Sequence, residues 1–442
     1  VIVPLATLNP PKIDEPAVAG SVVTPEVTVS PLGAPVRAAA GLLPSSVTGL
    51  PRSLWQGSDV TTLSTLVTAL NVETQPALQS LLFTLLLAEA DPPQDARFAE
   101  FMRARIQKLM HLGALDPAQA LLARTDPAHR DLFDLYFDVA LLNGDIDPPC
   151  QSLRTTPALS SDLARRIFCD ARAQNWDSAA LTLATADAIG AIDTQDVKLL
   201  ERFLDPELFT DVPTAPQRPT PLQFRLFEAI GEALPTTSLP RTFTATNLSG
   251  DAGWKPQLDA AERLARVGAI SENRLLGIYT SRIPSASGGV WDRVEAIQRL
   301  ETALTSGDPS AIFKQLPKAW KKMQEAQLEV PFATLFAEAL LRLPSKGSDA
   351  DLITRIALLS PLYEQAIERE TSDATLKIAQ TIALGEPKAI AASNLSHTIK
   401  AAFTNDARNS AFTEMVADNR LGEAILRAMS QAAKGANGDP SA

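Results

Sequence analysis

Four short segments of one design punctuate this chain: Leu112-Gly113-Ala114-Leu115-Asp116, Asn143-Gly144-Asp145-Ile146-Asp147, Ile189-Gly190-Ala191-Ile192-Asp193 and Val267-Gly268-Ala269-Ile270-Ser271. Each reads as a helix ending on a left-handed Gly, an apolar residue folding back onto that helix, and an Asp or Ser capping the next helix. A chain that turns this way four times is a succession of antiparallel helices. The four glycines are 31, 46 and 78 residues apart, close to one hairpin or small multiples of it and without a strict period. Between the corners apolar residues recur at helical spacing, as in Leu63, Leu66, Leu70 and then Leu78, Leu81, Leu82, Leu85. No segment alternates strictly between hairpin turns, so no sheet of any size is expected outside the N-terminal arm. Hydrophobic residues make up 45% of the chain and aromatics only 5%, so the core must be built from Leu, Ala, Ile and Val, which suits helix-on-helix seams. The expected fold is all-α, an irregular α-solenoid of stacked helical hairpins.

Proline divides the chain. Nine prolines between residues 1 and 52, interleaved with Val, Thr and Ala, predict an extended arm or linker, partly polyproline II. Residues 53–204 form a first helical-repeat block. Prolines return between 205 and 256, where Leu222-Gln223-Phe224-Arg225-Leu226-Phe227-Glu228-Ala229-Ile230 is the one helix-like run, and this stretch is read as a join. Residues 257–433 form a second helical block, and 434–442 a polar tail. The closing Gly438-Asp439-Pro440-Ser441-Ala442 repeats Gly307-Asp308-Pro309-Ser310-Ala311, which leads into a helix-like run, so another helix is expected to follow it. The opening Val1-Ile2-Val3-Pro4, with no Met and no leader, suggests a mature product.

Charge excludes some partners. Fifty-one Asp and Glu against 40 Lys and Arg leave a net charge of −11, which repels phosphate backbones and argues against nucleic acid. The longest apolar run, residues 81–88, falls far short of the ~20 residues that span a membrane.

Two segments resemble tetratricopeptide-type repeats. Asn175-Trp176-Asp177-Ser178-Ala179-Ala180-Leu181-Thr182-Leu183 is similar to the turn and second-helix start of such a unit, and so is Leu112-Gly113-Ala114-Leu115-Asp116-Pro117-Ala118-Gln119-Ala120-Leu121-Leu122. The likeness covers about two hairpins, and no 34-residue period tiles the chain. It implies a scaffold or partner-binding role without chemistry of its own.

Candidate sites are few. Cys150 and Cys169, nineteen residues apart, are positioned for a disulfide between neighbouring helices or for two separate buried thiols. Without CxxC or a Cys/His cluster, no zinc or other cofactor is expected. Asp131, Asp134 and Asp138 share one helix face, which reads as a solvated polar face more readily than as a cation or acid/base site. His111, His129 and His397 are scattered, and no nucleophile elbow, P-loop or dinucleotide fingerprint occurs. Lys314, Lys318, Lys321 and Lys322 surround Trp320, the one concentrated basic spot, with Pro317 expected to start or kink a helix. Trp55 and Trp254, in loop-like contexts, join Trp320 as candidate partner contacts, although burial beneath a turn is the commoner fate of such residues. The sequons at Asn247 and Asn394 are expected by chance at this length.

The function these features point to is a non-enzymatic scaffold or protein–protein interaction module in an oxidising envelope compartment such as the bacterial periplasm. Its partners would be other proteins, copies of itself or an envelope assembly such as a flagellar motor. Two alternatives stand beside it. One is an enzyme acting on cell-wall glycan or polysaccharide, which needs two carboxylates converging across a cleft. The other is a small-ligand carrier, which needs an enclosed apolar pocket.

Overall fold

The computed structural model of the protein describes residues 39–94, 99–126, 129–385 and 410–436. The described residues form one compact unit. Residues 1–38 of the expected arm, His397, Asn394 and the repeated segment 438–442 lie outside the described residues. Among the described residues there are twenty-two α-helices, two short 3-10 segments and no strand, so the chain is all-α.

The corners form through local hydrogen bonding. Gly113, Gly144, Gly190 and Gly268 have φ of 79°, 84°, 63° and 70°. In each corner the following N–H reaches back five residues to a carbonyl, as in Ala114 to Leu109 (2.9 Å) and Ala269 to Leu264 (3.0 Å). That bond satisfies a carbonyl the helix end would otherwise orphan. Asp193 and Ser271 then cap the next helices as the sequence predicts, accepting from Gln195 N and Arg274 N. Asp116 and Asp147 do not. Their helices begin earlier, at Leu115 and at Asp147 itself, and the two carboxylates sit in the first turn, where the helix dipole favours them. Three further corners use no glycine: Gln174, Gln327 and Asn419 take φ of 63°, 57° and 60°, with Asn175 N bonded to Asp170 O and Leu328 N to Met323 O at 2.9 Å and Arg420 N to Met415 O at 2.8 Å.

The helices pack around two main hydrophobic cores. The smaller is built from residues between Phe133 and Phe227, where successive helices Arg130–Asn143, Asp147–Thr155, Leu163–Arg172, Trp176–Ala188 and Thr194–Leu204 each touch the next. The larger runs from Leu54 to Ala433 and draws on both expected blocks. Two helices belong to both cores. Arg130–Asn143 turns Leu132, Val139 and Leu142 to the larger and Phe133, Phe137 and Leu141 to the smaller, and Pro221–Ala229 divides Phe224 from Leu222, Leu226 and Phe227 in the same way.

The 205–256 stretch therefore differs from the expected join. Beyond the helix Pro221–Ala229 it holds Arg241–Thr244 and a 3-10 turn Ala245–Ser249, both missed by helical periodicity because they are too short to show one. Long-range polar contacts hold it down. Arg241 forks onto Glu73 with two 2.7 Å bonds, Thr242 donates to Met110 O, and Arg263 donates to Thr236 O, Leu239 O and Thr244 Oγ1. Phe243, Leu248 and Trp254 fill the larger core.

The first and last described elements also meet. Gly422 N donates to Leu54 O (3.0 Å), and a Cβ on Gly422 would lie 2.4 Å from the Trp55 ring. Gln75 Nε2 donates to Ala432 O, 357 residues away. The described end of the predicted arm, 39–52, is docked: Leu42 N and Leu43 N donate to Leu87 O, Glu89 N donates to Leu43 O, and a one-turn helix Ser45–Thr48 interrupts the extended run. Arg105, 2% exposed, donates to Leu86 O, Ala40 O and Ala88 O. Burial pushes its pKa down to about 10.

Candidate functional site

A groove of about 1250 Å³ opens between the two cores. Three of the four sequence-recognised corners contribute to its lining, through Gly113, Leu115 and Asp116, through Asn143–Ile146 and through Ala269–Ile270. The next hairpins supply Phe168, Arg172, Trp176 and Phe203, and the folded join supplies Leu234, Thr236 and Asn247. Helix Trp254–Ala265 adds Lys255, Asp259 and Arg263.

Most charges in the groove are already engaged. Arg274 pairs with Asp116 at 2.9 Å, Lys255 with Asp259 at 2.7 Å and Arg225 with Glu228 at 2.6 Å. Arg225 also donates to Leu141 O and Leu142 O, closing the carboxyl end of helix Arg130–Asn143. Arg172 pairs with Asp147, and Arg263 is spent on the join. Asp145 accepts only from the Gln119 amide, at 3.4 Å. Three of the five lining carboxylates, those an acid/base mechanism would need, are thus tied to cations on their own or a neighbouring helix.

Trp176 is the groove's exposed aromatic. It starts the helix after the Gln174 corner, and 50% of its surface is open. The same helix buries only Ala179, Leu183 and Ala186, leaving Leu181 and the following Ile189 exposed. The sequence places Trp176 near a helix start but carries no sign that it, of the five tryptophans, stays open.

The predicted contact tryptophans have other roles. Trp55 is buried edge-on against Phe101, with ring centroids 5.0 Å apart. Trp254 is the first residue of a helix, not a loop residue. Its Nε1 donates to Ile278 O and its ring lies 5.2 Å from Trp291. Trp320 is buried beside Phe332. None of the three is available as a surface anchor, because other helices pack on each of them. Of the lysines, Lys314, Lys318 and Lys321 are exposed, whereas Lys322 is half-buried and pairs with Asp292 at 3.2 Å. Pro317 does not start a helix: Pro309–Glu325 runs through it, starting at the Asp308 cap.

Cys150 and Cys169 are joined as a disulfide inside the smaller core, linking helices Asp147–Thr155 and Leu163–Arg172. Beside it the predicted carboxylate stripe divides. Asp131 stays exposed, while Asp134 and Asp138 both hold Arg165, at 2.5 and 3.1 Å, with Asp162 on its Nε at 3.2 Å. The stripe is thus a solvated face at Asp131 and Asp134, as expected, and at Asp134 and Asp138 it is also part of an inter-helix ion network on Arg165. Burial, with Asp134 and Asp162 nearby, raises Asp138 to about 6 against the pull of Arg165. Among the described residues no group of three His, Cys, Asp or Glu could hold a metal ion, and no helix is long and apolar enough to cross a membrane. His111 lies near Glu73, Lys108 and Arg241, and burial together with Lys108 lowers its pKa.

No protein-family model, no curated protein and no solved structure matches this chain.

Proposed function

We propose that the protein is a non-enzymatic interaction module that holds extended segments of other proteins, or of further copies of itself, in the groove between its two cores. Trp176 carries the reading. An indole left half open in a groove loses the burial that its four companions are wholly or largely granted, and such a side chain is a ready interface anchor. The groove's volume lies above the ~300–1,000 Å³ usual for small-molecule sites. Its charges are largely paired among themselves, which suits a surface for contact better than a reacting centre. In this reading residues 115–204 act as a short solenoid-like stack of tetratricopeptide-like hairpins, and the extended N-terminal arm tethers the body or docks on a neighbouring subunit.

The buried disulfide supports the compartment part of the reading, since it favours an oxidising environment and so export to an envelope space such as the periplasm. A structural part of an envelope-spanning assembly, for instance around a flagellar motor, is the sharpest form of the proposal. Photocrosslinking in the natural host tests it. A crosslinker at position 246, in the groove, is expected to capture a discrete partner, and one at position 299, on the exposed face of helix Val290–Ser306, is not. Trp176→Glu should abolish the adduct. Equal capture from both positions, or none from position 246, would overturn the proposal.

A further inference from the structure

The groove's charge pattern identifies the kind of segment it takes. Each lining cation has a protein partner: Arg274, Lys255 and Arg225 hold groove carboxylates, Arg172 holds Asp147, and Arg263 binds main-chain carbonyls and Thr244. The carboxylates are not all matched in return. Asp145 accepts one long bond from a neutral amide, and Asp251 has no cation within pairing distance among the described residues. Both are exposed and stand in the same groove as Trp176. What the groove leaves unsatisfied is therefore acidic charge beside an open aromatic face.

Resting on the reading of this groove as a polypeptide site, we propose that its occupant is an extended basic segment, in which Lys or Arg side chains alternate with apolar or aromatic ones. The apolar side chains would cover Trp176 and the half-buried Phe203, Leu234 and Ile270. The basic ones would meet Asp145 and Asp251, and a cation lying over the open indole face gains further attraction from the ring. The chain's net charge of −11 acts in the same direction at longer range, steering a cationic segment in and an acidic one away. A phosphorylated or otherwise anionic ligand is disfavoured by the same arithmetic, because every cation it would need is already bound.

The test uses the full chain and three synthetic twelve-residue peptides of equal apolar content, one with Lys and Arg at the polar positions, one with Gln and one with Glu. Binding is read by fluorescence anisotropy at low and high salt. The basic peptide is expected to bind more tightly than the neutral one, with the advantage shrinking as salt rises, and the acidic peptide is expected not to bind. Asp145→Asn with Asp251→Asn, at two exposed positions whose side chains hold no ion pair, should weaken the basic peptide about two- to thirtyfold, the range of two exposed ion pairs. Asp187→Asn with Asp349→Asn, outside the groove, should leave it unchanged. If both double variants weaken binding alike, the peptide is attracted to the general acidity of the protein and the inference falls. If the neutral peptide binds as well as the basic one and Trp176→Ala releases both, the groove reading stands and the charge inference falls. If no peptide binds while a soluble cell-wall oligosaccharide does so through Trp176, both fall.

Discussion

Removing the Cys150–Cys169 crosslink should weaken the smaller core and leave the larger one in place. The two residues close a loop nineteen residues long, and fixing such a loop in the unfolded chain corresponds to about 3 kcal/mol on the chain-entropy account. Both side chains lie wholly inside the core of residues 133–227, so the loss is local: helices Asp147–Thr155, Leu163–Arg172 and Trp176–Ala188 lose the constraint, whereas Val290–Ser306 and Pro309–Glu325 pack in the other core. The perturbation is Cys150→Ala with Cys169→Ala, and the assay is amide hydrogen exchange resolved by segment, run beside urea unfolding. Exchange in residues 147–188 should quicken on the order of a hundredfold, the rate equivalent of about 3 kcal/mol, with little change in 290–325. An unchanged exchange pattern, or a uniform loss across both regions, would refute the reasoning. Thiol labelling of the unfolded, unreduced protein from its natural compartment supplies the companion test, and two free thiols would remove the argument for export.

Gly422→Ala places a methyl group 2.4 Å from the Trp55 ring and should cost about 1–3 kcal/mol by overpacking, read as a lower unfolding midpoint; an unaffected midpoint would mean that the last helix does not press on residue 55. Asp138 supplies a pH dependence of defined sign. Its carboxyl is raised to about 6, so the folded state binds its proton more tightly than the unfolded one, and this contribution is complete below about 4 and lost as pH rises through 6, by up to about 3 kcal/mol. Asp138→Asn should therefore gain stability relative to the parent between pH 4 and 7, and a difference constant with pH would sink the assignment. Arg105→Met keeps the stem but leaves the Ala40, Leu86 and Ala88 carbonyls without their donor; a loss of about 2 kcal/mol, with faster exchange at Leu42 and Leu43, is expected, and protection unchanged at both would show that the 39–43 segment holds without it.

Legibility varied from element to element. Gly113, Gly144, Gly190 and Gly268 were readable because a left-handed helix end depends on the residue that adopts it and on bonds spanning only five positions. Gln174 and Gln327 make the same turn without advertising it, since a non-glycine in that conformation needs its neighbours to offset ~1–2 kcal/mol of steric cost. A polar residue followed by Asn175-Trp176, or by Leu328, was the available signal. The groove was legible only in part: three corners that line it are written in the sequence, but their convergence on Leu234 and Asn247 is not.

By itself the chain's sequence determined four of the helix-to-helix corners, that no sheet forms among the described residues, and that the cores would be poor in aromatics. These properties follow from local hydrogen bonding and from composition, which any fold of this chain would share. Only the tertiary structure decided which helices meet. Arg241 reaches Glu73 across 168 residues and Gln75 reaches Ala432 across 357. Packing between helices likewise buries Trp55 against Phe101 and Gly422, Trp254 against Trp291 and Trp320 against Phe332, and leaves Trp176 open, because burial is set by what packs on a side chain and leaves no mark in the residues beside it.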